Sequence, residues 1–218
     1  VPVLWGTERN KAPNVLWYGD VSQDPITIRV KTSMIFNTGK RQVVGFKYYA
    51  GLQLGLCRGD ANTRLRRFAV GEKEVWSGTL TDGQFVDINL PEFFGGDTNG
   101  NGGLIGRLRF HAGTTTQAPN AYLQTHQTVG GVTPRYTGTA YVVWEAGYIG
   151  NSNRIEAWSF DTDRIANPLG LTGGGVVNGT DMNPMNAAYE LFVANTEWGF
   201  NYKSTDIDLV QWAATGET

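Results

Sequence analysis

The sequence predicts a mainly β fold with a small helical C-terminal part. Glycine supplies 29 of the 218 residues, roughly twice its usual share, and aromatic residues make up 12% of the chain. Charged residues reach only 17%, below the usual ~25%. Aromatic and β-branched residues favour strands, and glycine favours the turns between them. This composition is therefore typical of β structure with many turns rather than of a helical bundle.

Apolar runs and turn signals divide the first 110 residues into predicted strands. Apolar and polar residues alternate at 26–30, and 43–57 is a long strand-like run that contains three glycines. Asp82 and Gly83 indicate a tight turn, and a glycine- and asparagine-rich loop occupies 93–103. The remaining runs lie at 1–5, 14–18, 67–76, 84–90 and 104–110.

Two aromatic, β-branched runs at 139–144 and 155–160 have the strongest strand character in the chain. A Gly/Asn/Ser segment at 147–153 separates them, which predicts two strands that pack and pair around a turn. Aromatic side chains in such runs suit a core or a contact between subunits. The candidate assembly residues are Trp144, Tyr148, Asn151, Trp158 and Phe160.

Helical signals appear only near the C terminus. Asn183 and Pro184 suit the N-cap and first position of a helix, and apolar residues then recur at helical spacing as far as Phe192. Thr205 and Asp208 resemble a capping box. A second helix is therefore predicted to begin near Thr205.

Charge and cysteine content argue against several classes of function. A net charge of −2 and a pI of about 5.7 provide no basic field for nucleic acid. We interpret the cluster of Arg64, Arg66 and Arg67 as a solvated or interface face. Cys57 lies in an apolar run and is expected to be buried and inert. No run approaches the ~18 apolar residues that span a membrane.

The motifs that could carry chemistry are weak. Asp97, Asn99 and Asn101 resemble the start of a calcium loop, but position twelve is Leu108 instead of glutamate. The glycine runs lack the spacing of nucleotide-binding loops. Carboxylate pairs that a cell-wall hydrolase could use are common by chance; they are Glu72/Glu74, Asp161/Asp163 and Asp206/Asp208. We predict no enzymatic activity, no cofactor and no metal.

Seven tryptophans and nine tyrosines leave a second hypothesis open. Exposed aromatic rings can stack on sugars, and the same rings serve equally well in cores and interfaces. The alternative function is therefore a carbohydrate-binding adhesin module that contacts a host surface.

Seven stretches follow one another along nearly the whole chain and carry a family resemblance. They are VPVLWGTERNKAPNVLWYGD at 1–20, YYAGLQLGLCRGD at 48–60, LPEFFGGDTNGNGGLIGRLRFHAG at 90–113, APNAYL at 118–123, PRYTGTAYVVWE at 134–145, NRIEAWSFDTDRI at 153–165 and MNPMNAAYELFVANTEWGFNYKSTDIDL at 182–209. Together they resemble the hub proteins at the tail tip of long-tailed bacteriophages, the family of the lambda tip attachment protein and related prophage tail proteins.

The resemblance implies a structural virion protein that is assembled in the host cytoplasm and has no catalytic residues. Three copies would form a hub that closes the distal end of the tail tube and joins it to the tip or fibre. The implied fold is a tail-tube-like β-barrel or sandwich at 1–85 and 134–180, with an inserted β subdomain at 86–133 and a helical segment at 181–218.

The implied partners are further copies of the chain as a homotrimer, the distal tail protein, other tail-tip proteins and the C terminus of the tape measure protein. We expect the sequence to be part of a longer hub, because it begins without methionine and ends just after a helical pattern. Family members continue with receptor-binding regions, so a host receptor would be contacted through those regions.

Overall fold

The computed structural model describes residues 1–31, 39–127, 131–152, 154–194 and 197–217. The strands are β1 (Gly6–Asn10), β2 (Asn14–Lys31), β3 (Gly39–Arg58), β4 (Thr63–Val70), β5 (Lys73–Leu80), β6 (Phe85–Leu90), β7 (Leu104–His111), β8 (Thr139–Gly150), β9 (Trp158–Arg164), β10 (Val176–Val177) and β11 (Asp181–Met182). The α-helices are α1 (Gly96–Asn99), α2 (Ala121–His126), α3 (Pro184–Val193) and α4 (Leu209–Gly216).

Two antiparallel sheets pack against each other as a sandwich. The larger sheet has the strand order β2-β3-β8-β7-β6, and the smaller sheet has the order β1-β9-β4-β5. β10 and β11 form a separate two-stranded ribbon. Within the described residues the sheets do not close into a barrel, so the mainly β prediction is confirmed in its sandwich form, together with the small C-terminal helices.

The core lies between the two sheets. Leu52 and Leu54 of β3 are two residues apart and share one face of the strand, where they are buried with Trp144 of β8. Phe68 of β4 and Phe160 of β9 cover them from the smaller sheet and stack on each other, with ring centroids 5.0 Å apart. Apolar burial of this kind is the main force that holds two sheets together.

The runs at 139–144 and 155–160 pack against each other but do not pair. β8 lies between β3 and β7, whereas β9 lies between β1 and β4 in the other sheet. Their contact is the edge-to-face packing of Trp144 on Trp158, with ring centroids 5.4 Å apart. The predicted turn at 147–153 is strand as far as Gly150, and Asn153 lies outside the described residues.

The predicted inserted subdomain, 86–133, forms no sheet of its own among the described residues. β6 and β7 pair with each other, and β7 also pairs with β8 across the register Leu108↔Trp144. These strands therefore extend the same sheet as β3. The tight turn at Asp82 and Gly83 connects β5 of one sheet to β6 of the other.

The predicted first C-terminal helix is present, and the second helix begins later in the chain than predicted. The Asn183 side chain accepts a hydrogen bond from the Met185 N–H at 2.9 Å and caps α3, with Pro184 in the first turn. The second helix begins at Leu209, because Asp208 is its N-cap and accepts from the Gln211 N–H at 3.1 Å. Among the described residues, no helix has the length and apolar character needed to cross a bilayer.

Candidate assembly site

The outer halves of β2 and β3 form a projecting ribbon, which we call the arm (residues 24–31 and 39–47). β2 and β3 pair from Asn14↔Gly55 to Lys31↔Gly39. β8 reaches only residues 48–58 of β3, so in the described part of the chain no third strand pairs with the arm. At ~3.3 Å per residue the arm extends roughly 25 Å beyond the sandwich.

One face of the arm carries three apolar side chains of β2 together with Gln42 and Lys40 of β3, and the other face carries two facing cations beside Val43. Ile26, Ile28 and Val30 alternate along β2 and share a face, and Ile28 is 48% exposed. On the opposite face Arg29 lies directly across from Arg41. Like charges in that position destabilise a strand pair, and an isolated two-stranded hairpin is marginal in water. The arm therefore has the properties of a segment that is covered by a partner.

An apolar groove opens between the sheets on the side where β1 and β2 lie. It consists of three adjoining cavities of about 350, 330 and 620 Å³, which run from the N-terminal segment to the base of the arm. The core residue Leu52 lines two of them, beside Val15 and Ile155, which are 63% and 48% exposed. Tyr18 lines the cavity nearest the arm and is 71% exposed. Contiguous exposed apolar surface of this kind marks interaction sites.

A cluster of polar side chains, which we call the base cluster, ties the glycine-rich loop to the base of the arm. Asp97 in this loop forms an ion pair with Lys47 of β3 and accepts from Asn151 Nδ2 at 3.1 Å. The Tyr148 hydroxyl lies 3.1 Å from the same carboxylate and 2.5 Å from Asn151 Oδ1. Hydrogen bonding by Lys47, more than any other contact, holds the pKa of Asp97 below its ordinary value.

The five predicted assembly residues occupy two different environments. Trp144, Trp158 and Phe160 are buried in the core, which confirms core packing for these aromatic side chains. Tyr148 and Asn151 belong to the base cluster, beside the groove. A role for any of the five in contacts between subunits stays a prediction.

The groove residues Val15, Tyr18 and Ile155 were not singled out by the sequence. All three lie in or next to runs that resemble buried strands. The sequence predicted two separate runs here, at 14–18 and 26–30, and only the structure joins them into one strand of 18 residues, well above the usual 5–6.

Other residues with chemical potential are buried or held by partners. Cys57 is buried, as predicted, and burial raises the pKa of its thiol to about 12. Arg67 pairs with Glu74 at 2.6 Å, and Arg66 lies 3.5 Å from Asp163 on the outer face of the smaller sheet. No cluster of three or more potential metal-binding His, Cys, Asp or Glu side chains is present in the described ranges.

Comparison with known proteins adds no family assignment. The chain matches no protein-family model and no curated protein sequence. The resemblance to tail-tip hub proteins therefore stays a prediction that rests on the ordered stretches of the sequence.

Proposed function

We propose that this chain is a structural module of a bacteriophage tail tip, where three copies form a hub that closes the tail tube and connects it to the tip or fibre. The observation that carries the proposal is the arm, a two-stranded ribbon with exposed apolar residues and no strand partner among the described residues. A ribbon of this kind needs another protein surface to be stable. In an assembly, a neighbouring protein provides that surface.

The sandwich suits a ring of subunits. Both sheets end in strands whose outer edges have no strand neighbour in the described ranges, namely β2 and β6 in the larger sheet and β1 and β5 in the smaller. Free edges pair readily with other chains, and a head-to-tail contact that closes on itself makes a ring. The tail-tube-like character of the domain belongs to this proposal.

The partners in this proposal are those implied by the resemblance. Further copies of the chain would form the ring, the distal tail protein and the other tail-tip proteins would adjoin it, and the C terminus of the tape measure protein would end at it. The chain would be synthesised in the host cytoplasm and function in the virion.

In the folded chain, fewer aromatic rings are available for sugar binding than the sequence suggests. Trp144 and Trp158 are 1% and 6% exposed, so they cannot stack on a ligand without unfolding of the core. Trp5 is more exposed, but its ring packs on Trp198 at a centroid distance of 6.3 Å and its Nε1–H donates to Glu190. Packing therefore accounts for these three rings.

The proposed function is tested on intact virus particles. Particles that encode the full polypeptide are purified, and their protein content is measured by quantitative mass spectrometry together with electron microscopy of the tail tip. We expect three copies for each tail and three-fold density of this sandwich at the distal end of the tube. A polypeptide that is absent from purified tails and remains a stable monomer would refute the hub.

A further inference from the structure

We propose that the arm of one copy docks, apolar face inward, into the groove of the neighbouring copy. This inference rests on the proposed assembly function and identifies the two surfaces that meet. The arm is a projection and the groove is a depression, and they lie at different places on the chain. Two different surfaces that fit each other give a heterologous contact, which is the type that builds closed rings.

The arm cannot reach the groove of its own chain. Tyr18 in the groove and Ile28 in the arm lie on the same continuous strand, β2. Ten residues of strand separate them by roughly 30 Å. β2 is irregular between Gly19 and Ser22 and between Ile26 and Thr27, but it pairs with β3 on both sides of each irregularity. Positions 18 and 28 therefore stay well beyond contact distance, and the occupant of the groove comes from another molecule.

The chemistry of the two surfaces is complementary. The face that carries Ile26, Ile28 and Val30 would cover the apolar lining around Val15 and Ile155 and remove both from water. The groove is also bordered by β1 and β2, which stand at the ends of their sheets. A docked ribbon can therefore add main-chain hydrogen bonds to a free edge, as extended segments do in β-augmentation.

Charge favours the same arrangement. Residues 24–47 contain five Lys or Arg and one Asp, a charge of +4, so the rest of the chain carries −6 of the total of −2. Glu8 and Glu156 line the groove, together with Lys11 and with Arg9, which is paired with Asp161. The charged side chains that line the groove balance one another, and Lys47 of the arm is already paired with Asp97. The attraction is therefore between the positively charged arm and the negatively charged body as a whole, and repulsion disfavours arm-to-arm contact.

The test uses engineered cysteines in the full polypeptide. The double variant Tyr18→Cys/Ile28→Cys changes two exposed side chains, one in the groove and one in the arm. A disulfide needs Cα atoms within ~7 Å, so a bond between these positions must join two copies. Cys57 is buried, and the parent protein controls for its reactivity.

We expect mild oxidation to give disulfide-linked dimers and trimers of the double variant and no larger disulfide-linked species. The matched control is Tyr18→Cys/Thr27→Cys, because Thr27 is the adjacent arm residue and lies on the opposite face. Its yield of disulfide-linked oligomers should be several-fold lower. Mixing the single variants Tyr18→Cys and Ile28→Cys should also give a heterodimer.

The outcomes separate docking from the proposed function. If mass measurement finds trimers in tails but no disulfide joins positions 18 and 28, the proposed docking is wrong and the proposed hub stands. A polypeptide that is absent from tails but still forms the 18–28 disulfide would overturn the hub and support the docking. Equal disulfide yields from the Ile28→Cys and Thr27→Cys variants would overturn the orientation of the arm.

Discussion

One buried histidine makes the stability of this fold sensitive to acid. His111 is buried against the ring of Tyr141, with ring centroids 4.6 Å apart, and lies 3.0 Å from the Asn120 side-chain nitrogen. Burial lowers the pKa of His111 from 6.5 to about 4. The neutral imidazole accepts from Asn120, whose side-chain oxygen in turn caps α2 by accepting from the Leu123 N–H at 3.0 Å.

The first prediction concerns pH. A group whose pKa is lower in the folded chain stabilises the fold fully above its unfolded pKa, and that contribution is lost as the pH falls. For His111 the loss takes place between pH 6.5 and about 4, and its size is about 3 kcal/mol. Urea unfolding at a series of pH values measures it.

The variants His111→Gln and His126→Gln make the pH prediction specific. Glutamine at 111 keeps an acceptor for Asn120 and cannot take up a proton, so most of the acid-induced loss should disappear. His126→Gln is the matched control and should retain the loss of the parent protein. An unchanged pH slope in His111→Gln would show that another group is responsible.

Glycines in β8 and β7 make room for an indole ring. A Cβ built on Gly147 or Gly106 would overlap the Trp144 ring. The ring fills this space because neither glycine has a side chain, which explains why the two glycines lie beside a tryptophan of the core.

The second prediction compares two glycine substitutions. Gly147→Ala should destabilise the protein by about 1–3 kcal/mol, because overpacking forces the Trp144 indole to move. Gly45→Ala is the control, since its Cβ would meet only Ile26 Cδ1 at 3.7 Å, and should change the stability by less than about 0.5 kcal/mol. Chemical denaturation measures both, and equal effects would contradict the packing explanation.

At the scale of elements, one ion-pair network attaches α3 to the sandwich. Arg164 of β9 forms two hydrogen bonds with the Glu190 carboxylate of α3, at 2.8 and 3.0 Å, and a third with Asp60 at 2.8 Å. The side chains of Arg164 and Glu190 are only 10% and 14% exposed. The Trp5 indole N–H also donates to Glu190 at 3.0 Å, so the N-terminal segment joins the same network.

The third prediction follows from this network. Glu190→Ala leaves Arg164 with Asp60 as its only carboxylate partner, beside the Leu4 carbonyl, and should destabilise the attachment of α3 by about 3 kcal/mol, near the lower value for a broken buried pair. Hydrogen exchange of the α3 amides should increase more than exchange in the core strands. The control is Glu197→Ala, because Glu197 pairs with Arg58 while 70% exposed, and its effect should stay below about 1 kcal/mol. Similar exchange in the two variants would argue against the anchor.

At the scale of the whole molecule, the arm and the body have separate roles. The sandwich core between the sheets contains residues of β3 to β9, and among the side chains that the structure describes none of the core residues comes from the arm. The arm contributes exposed apolar area and positive charge instead. Assembly and folding should therefore respond differently to its removal.

The fourth prediction removes most of the arm. Ile26 and Gly45 are register partners, and replacing the residues between them with Asn-Gly gives a two-residue hairpin turn. We expect the melting temperature to change little, because the core is intact, whereas incorporation of the full polypeptide into tails should be lost. Calorimetry and tail assembly assays measure the two effects. Normal tails formed by the shortened variant would show that the arm is not an assembly element.

Much of the fold was predictable from local sequence, and little of the candidate site was. The alternation at 26–30, the run at 43–57 and the Asn183–Pro184 start of α3 depend on neighbouring residues, and the structure confirms them. The predicted pairing of β8 with β9 was wrong, because strands that pair in a sheet can come from distant parts of the chain. The groove depends on where the two sheets leave their edges open.

The sequence by itself determined the mainly β class and the positions of most strands, because propensity, alternation and capping act between neighbours. Only the tertiary structure decided which apolar residues are covered. Trp144 and Tyr18 both occupy aromatic, strand-like runs, yet they are 1% and 71% exposed. Burial depends on what the rest of the chain places opposite a strand, and among the described residues no further strand covers Tyr18 or Ile28.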